Sequence, residues 1–515
     1  MHAVGVVLLL VVLATAVATF ARHWRVPAPS LLVLAGIGVA LIPGVPALHV
    51  PPQTIALVVL PPLLYASAEE LSLRDLRVVW RPVTILAFGL VFASAAAVGF
   101  AAVALTGLPP AMAFVLGAIL ASTDPVAVTA LGRRLALPGR VQVLVQAESL
   151  FNDATSLVLF KVAIGIAVAT GAGASLPAAG AEFLILGGGG SVIGAGVAGL
   201  VWLIRRRTSE PVLETVIALV TPYAAYVVAE SAHTSGVTAV VVAGVLLGRS
   251  SHRLTDAHIR LQLHAVYAVV VFLLESIVFS IVGLELPELV RNLSGGSGWW
   301  PLQALAVAVV LIAVRVICTL PLTRAVKPSK GGLSWRVAGV VTWAGTRGVM
   351  PLAAALSIPL VANNGTALAG RPLVLALTTA VIVFTLVVQG LTLSTVVNRS
   401  GLALEPEHTA REEADAQDAL NQAALDHIEQ LTGMEAVPET TIDRIRRALT
   451  ARLDRSGDGP DITPVDLPYR QLRREVIAVQ NTELHRLYDE HRISDTTRRR
   501  LQHDLDREEA ALGGR

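Results

Sequence analysis

From residue 3 to residue 397 the chain is a succession of apolar runs separated by short stretches of Gly, Pro and charge. A helix that crosses a bilayer needs about 20 apolar residues. Read against that length, the runs predict spans at 3–21, 29–48, 52–67, 83–105, 110–132, 140–170, 183–204, 211–229, 235–248, 262–285, 301–323, 334–361 and 372–397, thirteen in all. With 54% hydrophobic and 15% charged residues and a mean hydropathy of +0.66, the chain is too apolar for an ordinary soluble enzyme. The expected class is an all-α polytopic membrane protein. The first run ends in Ala14, Ala16 and Ala18, as a cleaved leader would, but Arg22 and Arg25 follow it and no basic residue precedes it, so it is read as a retained span.

Basic residues in the connecting loops give an independent test. Alternate loops hold Arg22 and Arg25; Arg74, Arg77 and Arg81; Arg133, Arg134 and Arg140; Arg205, Arg206 and Arg207; Arg249, Arg253 and Arg260; and Arg324, Lys327, Lys330 and Arg336. The intervening loops hold only Arg291 and Arg371, and this alternation predicts an outside N-terminus and a cytoplasmic tail. Residues 1–400 carry 24 Lys and Arg against 14 Asp and Glu, while residues 401–515 carry 16 against 24. A net charge of +2 therefore hides a basic membrane part and an acidic tail, and gives no ground for nucleic-acid binding. The expected domains are a transmembrane domain, 1–400, and a helical cytoplasmic tail, 401–515. In the tail, helical spacing of Leu, Ile and Val over 411–431 and 469–511 is interrupted at Gly433, 456–464 and Pro468. Such a tail packs on itself, on a dimer mate or on a regulatory partner. The single cysteine, Cys318, lies in an apolar run and excludes an intramolecular disulfide and a cysteine metal site.

Two spans are poorly suited to straight helices. The fifth contains ASTDPVAV, where Pro125 disfavours a helical Asp124, and the twelfth contains WAGTRGVMP, with Gly345, Gly348 and Pro351 around Arg347. Irregular backbone at membrane depth is tolerated where it is buried in protein or lines a cavity, and transporters use such breaks to present backbone to ions. With the seventh span as a linker, two six-span halves remain, each broken at its fifth span, in inverted orientation.

The sixth span holds QAESLFNDATSLVLF at 146–160, and on a helix Glu148 and Asn152, like Ser149 and Asp153, stand four residues apart on one face. Two carboxylates in a buried window are costly, and such groups commonly mark ion or proton pathways. Oxygen ligands suit hard monovalent cations and protons; a transition metal would want the clustered His or Cys that is missing here. The alternative is polar glue between helices. Arg315 in the eleventh span and Arg347 both need partners, and Glu148 is the natural candidate for one of them. Lys161 is expected to snorkel outward, while Glu275 and Glu230 line a cavity or serve structural or rim roles.

At these residues the chain resembles the monovalent cation:proton antiporters of the first class, the Na+/H+ exchangers related to bacterial NhaP and the eukaryotic NHE proteins. The resemblance covers most of 1–400 and rests on LPPLLY at 60–65, STDPVAV at 122–128, ESLFND at 148–153 and GTRGVMPLAAALSIP at 345–359, in that order. It implies an NhaA-like fold in a homodimer, where a dimerisation domain holds a mobile core with two crossed, partly unwound helices. By the same resemblance Asp153 carries cation and proton alternately, assisted by Asn152, Ser149, Asp124 and Thr123, with Na+ at Asp153, Ser149 and Thr123. Glu148 is expected to pair with Arg315, and Arg347 to steady the crossing. Asn152 stands where electrogenic relatives carry a second aspartate, which implies one cation for one proton and no net charge moved. No cofactor is implied beyond the transported Na+ (or Li+ or K+) and H+, and the expected location is a bacterial-type plasma membrane, in contact with lipid. Ala66 departs from the pattern, because many relatives carry an acidic residue there; Glu69 and Glu70, one turn on, are either accessory ligands or interfacial charges. A K+/H+ exchanger on the same scaffold and a cation channel are the competing functions. A membrane enzyme is disfavoured, because no HExxH, GxSxG or Walker pattern occurs, and GGGG at 187–190 is read as a close helix contact.

Overall fold

The structure, a computed structural model, describes residues 11–17, 19–20, 28–42, 52–124, 139–169, 176–208, 210–254, 257–292, 298–325, 335–401, 406–432, 442–443, 445–447, 449 and 467–512. Among them the chain is almost wholly helical, with one isolated antiparallel bridge between Val361 and Ala367. In chain order the helices are α1 (Ala28–Ala40), α2 (Pro52–Glu69), α3 (Leu73–Thr106), α4 (Pro110–Ala121), α5 (Gly139–Val168), α6 (Leu176–Arg205), α7 (Pro211–Ser231) and α8 (Gly236–Leu254). They continue with α9 (Ala257–Asn292), α10 (Trp300–Ala325), α11 (Trp335–Trp343), α12 (Val349–Leu356), α13 (Arg371–Ser400), α14 (Pro406–Thr432), α15 (Leu467–Asp489) and α16 (Asp495–Leu512). Two compact units emerge: Met1–Thr208 with Val216–Leu254 and Val266–Ala403, and Ser209–Thr215 with Thr255–Ala265 and Leu404–Arg515.

Among the described residues, seven helices are long and apolar enough to cross a membrane, and four shorter apolar helices accompany them. Leu184, Ile185, Val192 and Leu200 on α6 and Val212, Val216 and Val220 on α7 face outward. Apolar side chains displayed in such number are stable against lipid or another apolar surface, not against water. The chain is a multi-pass membrane protein.

Hydropathy misplaced several ends. The span expected at 83–105 is the second part of α3, whose first turns carry Arg74, Arg77 and Arg81 and are capped where the Ser72 hydroxyl accepts the Asp75 N–H at 3.3 Å. A π-helical turn, Ile85–Leu90, joins the two parts. Arg205, read as a loop residue, lies in the last turn of α6 and is 1% exposed. The span at 334–361 is broken into α11 and α12, as Gly345, Gly348 and Pro351 predict. The first span is described only at 11–17 and 19–20, and Arg22, Arg25, Arg133, Arg134, Lys327 and Lys330 lie outside the described residues.

Packing sorts the helices of this unit into two sets. α3, α4, α5, α10, α11 and α13 pack on one another, while α8 packs against α2 and α6. The α3–α4 contact is backbone-close, because a Cβ on Gly117 would overlap the Ala95 carbonyl. Of the GGGG run, Gly190 does the same for α6 at the Ser235 carbonyl and Gly189 lies against the Thr234 side chain, whereas Gly187 and Gly188 face open space.

The second unit has a core of its own. Ala416 and Leu420 of α14 meet Ile477, Leu484 and Leu487 of α15 and Leu501 and Leu505 of α16. Buried polar groups are paired within it: Gln480 donates to Asn421, Gln502 donates to Asn481 at 2.9 Å, Arg473 pairs with Glu508 at 2.5 Å, and Arg260 grips Asp506 through both its Nε and Nη2. Arg260, expected in a loop, is helical and lies in α9. Burial alone would raise the carboxyl of Asp495, but the charges and hydrogen bonds of Arg499 and Arg498 outweigh it and hold that group below the usual carboxylate range.

Candidate functional site

α4 stops at Ala121, and Ser122 is extended (φ −66°, ψ 144°). The stop follows from the sequence: Pro125 cannot donate a helical hydrogen bond and pushes Asp124 out of the helical region. α11 stops at Trp343 and α12 begins at Val349, where Pro351 sits in the first turn, a position that needs no N–H. The two unwound segments cross and satisfy each other. The Asp124 N–H donates to the Thr346 carbonyl at 2.8 Å, and the Thr346 hydroxyl donates to the Asp124 carbonyl at 3.0 Å. Two glycines make the crossing sterically feasible: a Cβ on Gly348 would overlap the Asp124 carboxylate, and one on Gly345 would stand 2.6 Å from Nε of Arg315.

α5 is zipped onto the first segment by its polar face. The Ser149 hydroxyl donates to the Thr123 carbonyl at 2.5 Å, the Thr123 N–H donates to Oδ1 of Asn152 at 3.2 Å, and Nδ2 of Asn152 donates to the Thr123 hydroxyl at 2.6 Å. One turn on, the Ser156 hydroxyl donates to the Ala118 carbonyl at 2.6 Å. Asp153 is 6% exposed, and its Oδ1 accepts the Ser122 hydroxyl. Among the described residues it has no ion pair. Asp153, Asn152, Ser149, Thr123 and Asp124 are thus brought to one place, where a carboxylate, hydroxyls and peptide oxygens converge.

Glu148 faces away from this cluster toward α10. It is 1% exposed and pairs with Arg315, 3% exposed, at 2.7 Å from Nη2 to Oε1 and 3.0 Å to Oε2. Arg315 also donates from Nε and Nη2 to the Val341 carbonyl at 3.1 and 3.0 Å, so it serves the last turn of α11, whose carbonyls lose helical partners at the break. Of the two candidate arginines it is Arg315 that pairs with Glu148. Arg347 is equally buried; its backbone N–H donates to the Thr385 hydroxyl at 3.2 Å, and its side chain lines a small cavity with Arg315, Thr385 and Gln389.

Glu69 stands at the end of α2 among Tyr65, Tyr267 and Arg205, with Glu70 exposed beside it, and neither is joined to Asp153 by a hydrogen bond or ion pair among the described contacts. Lys161 does not snorkel: it pairs with Glu230 of α7. Sequence reasoning missed Ser122, Ser156, Thr346 and Thr385. Ser122 and Thr346 had a signal, since each is a hydroxyl residue inside a predicted break; Ser156 and Thr385 had none. No group of three or more His, Cys, Asp or Glu among the described residues is placed to hold a metal ion.

Comparison with known proteins agrees with this geometry. Residues 7–399 match the family model described as sodium/hydrogen exchanger, transmembrane. An uncharacterized Na+/H+ exchanger of Mycobacterium tuberculosis is 34% identical over 98% of this chain and 96% of its own length. The Na+/H+ antiporter ApNhaP of Aphanothece halophytica is 31% identical over 83% of this chain and 79% of its own. In fold, the sodium proton antiporter MjNhaP1 of Methanocaldococcus jannaschii superimposes with a TM-score of 0.63, at 20% identity, over 78% of this chain and 100% of its own.

Proposed function

The chain belongs to the sodium/hydrogen exchanger family of membrane transporters, and from that premise we propose that it exchanges Na+ or Li+ for H+ at Asp153. The observation that carries this reading is the Asp153 carboxylate, buried and tied to a hydroxyl instead of a guanidinium, beside two unwound segments rich in oxygen. A bare carboxylate at membrane depth is unfavourable, so it is discharged either by a proton or by a cation, and the two compete. Na+ as substrate takes oxygens of Asp153, Ser149 and Thr123, with Asp124 assisting; the Ser149 hydroxyl donates its hydrogen bond to the Thr123 carbonyl, which leaves its lone pairs available.

The core set containing α3, α4, α5, α10, α11 and α13 moves against α2, α6 and α8 only when Asp153 is discharged, an elevator-type alternation that couples the two fluxes without ATP. The exchange is electroneutral. Glu148 is matched by Arg315, and Asn152 is a neutral bracket whose amide both donates to and accepts from Thr123, which a carboxylate could not do. The protein works as a homodimer in the plasma membrane, with the N-terminus outside and the tail of 401–515 in the cytoplasm, as the alternation of basic loops favours.

Purified protein in proteoliposomes tests this reading. With the membrane potential clamped and Na+, Li+ and K+ supplied separately, Na+ or Li+ should drive proton efflux of equal size. A K+ response alone would favour the K+/H+ exchanger, and a cation current without proton movement would favour a channel and overturn the proposal.

A further inference from the structure

Eight residues beyond Asp153 on α5, about 12 Å along the helix, Lys161 reaches out of the core set and pairs with Glu230 near the end of α7. Neither residue touches the ion site. The Glu230 end of the pair is fixed: its Oε1 also accepts the Gly236 N–H at 3.0 Å at the start of α8, where a capping carboxylate is favoured. That α7–α8 corner is in turn bolted to α6. The Ser235 N–H donates to the Leu186 carbonyl at 3.0 Å, and Gly190 lets α6 approach so closely that a Cβ there would overlap the Ser235 carbonyl.

The Lys161 end is carried by the helix that carries Asp153. Resting on the reading that α5 moves against α6 and α8, we propose that Lys161 and Glu230 are a latch, holding the Asp153 helix to the α7–α8 corner in the conformation seen here and opening in each transport cycle. The pair is partly open to its surroundings, with the side chains 26% and 35% exposed, so it is strong enough to bias two states and weak enough to break. An ion pair of that exposure shifts a two-state equilibrium by roughly twofold to fivefold. The latch sets how fast the carrier reorients, not which ion it takes.

Cross-linking tests it. In a Cys318→Ser background, Lys161→Cys with Glu230→Cys is joined by a short bifunctional methanethiosulfonate and assayed for cation-driven proton flux in proteoliposomes. Exchange should stop on cross-linking and return with reductant, while each single cysteine treated alike keeps its rate. Glu230→Gln, which keeps an acceptor for Gly236, should change turnover by roughly twofold to fivefold with little change in the half-saturating Na+ concentration, and adding Lys161→Gln to it should change turnover no further. Unaltered exchange by the cross-linked pair, beside an active wild type, overturns the latch alone; an inactive wild type overturns the transport reading and the latch with it.

Discussion

Replacing Arg315 by Met removes two things at once from the middle of the membrane part. Glu148, 1% exposed, loses the guanidinium that stands 2.7 Å from its Oε1, and the Val341 carbonyl loses donors at 3.1 and 3.0 Å. Breaking one side of a buried ion pair costs about 3–5 kcal/mol, and an orphaned buried acceptor about 1–3 kcal/mol more. A loss of about 4–8 kcal/mol is a large part of the roughly 5–15 kcal/mol that holds a domain folded. The apparent melting temperature in detergent, read as loss of the monodisperse peak on size exclusion after heating, should fall by on the order of 10 °C. Because such unfolding is irreversible, variants are compared at one heating rate. The pair Arg315→Met with Glu148→Leu removes both charges, and exchanging a buried pair for apolar residues is often close to neutral. The double variant should therefore recover most of the loss, with a coupling above about 2 kcal/mol. An Arg315→Met protein as stable as wild type, or a double variant as unstable as the two singles added, would refute the assignment of this pair as the brace of the core.

Gly348→Ala forces a Cβ into the Asp124 carboxylate and should cut exchange at least about tenfold, whereas Gly196→Ala, with nothing within 4 Å, should leave it unchanged; equal activity of the two contradicts the crossing geometry. Asn152→Asp loses the donor to the Thr123 hydroxyl and adds a second ionisable group, so the remaining exchange should become sensitive to an imposed membrane potential. Full-rate, potential-independent exchange by that variant contradicts the electroneutral account. The tail makes a pH prediction. Asp495 is held below its unfolded value, near 3.9, so its contribution is present above that value and is lost as pH falls through the lower folded one. The stability gap between wild type and Asp495→Asn, measured as tail helicity in the full chain, should close in acid; a gap that persists there contradicts the pairing with Arg498 and Arg499.

What the sequence made legible was what local rules govern. Pro125, Gly345 and Gly348 announced the two breaks because they restrict or free the backbone whatever surrounds them, and the spacing of Ser149, Asn152 and Asp153 announced a polar face because a helix dictates it, while Glu148, counted on that face, turns to Arg315 of α10. Helix ends were misjudged where charge ends an apolar run but not a helix: α3 continues back through Arg81, Arg77 and Arg74, and α9 back through Arg260. Long-range choices were out of reach. Which arginine meets Glu148 depends on how α10 lies against α5, Ser122 meets a partner 31 residues away, and Lys161 meets one 69 residues away. Composition gave Arg205 to a loop, and packing buried it.

The central claim is that one carboxylate, that of Asp153, is shared between cation and proton. Na+ binding to purified protein by calorimetry, run at several pH values in buffers of different ionisation heat and repeated with Asp153→Asn, measures this most directly. The account predicts about one proton released per Na+ bound at a pH where the site is protonated, weaker apparent affinity as pH falls, and no binding by a folded Asp153→Asn variant. Na+ bound without proton release, or retained by that variant, would contradict it.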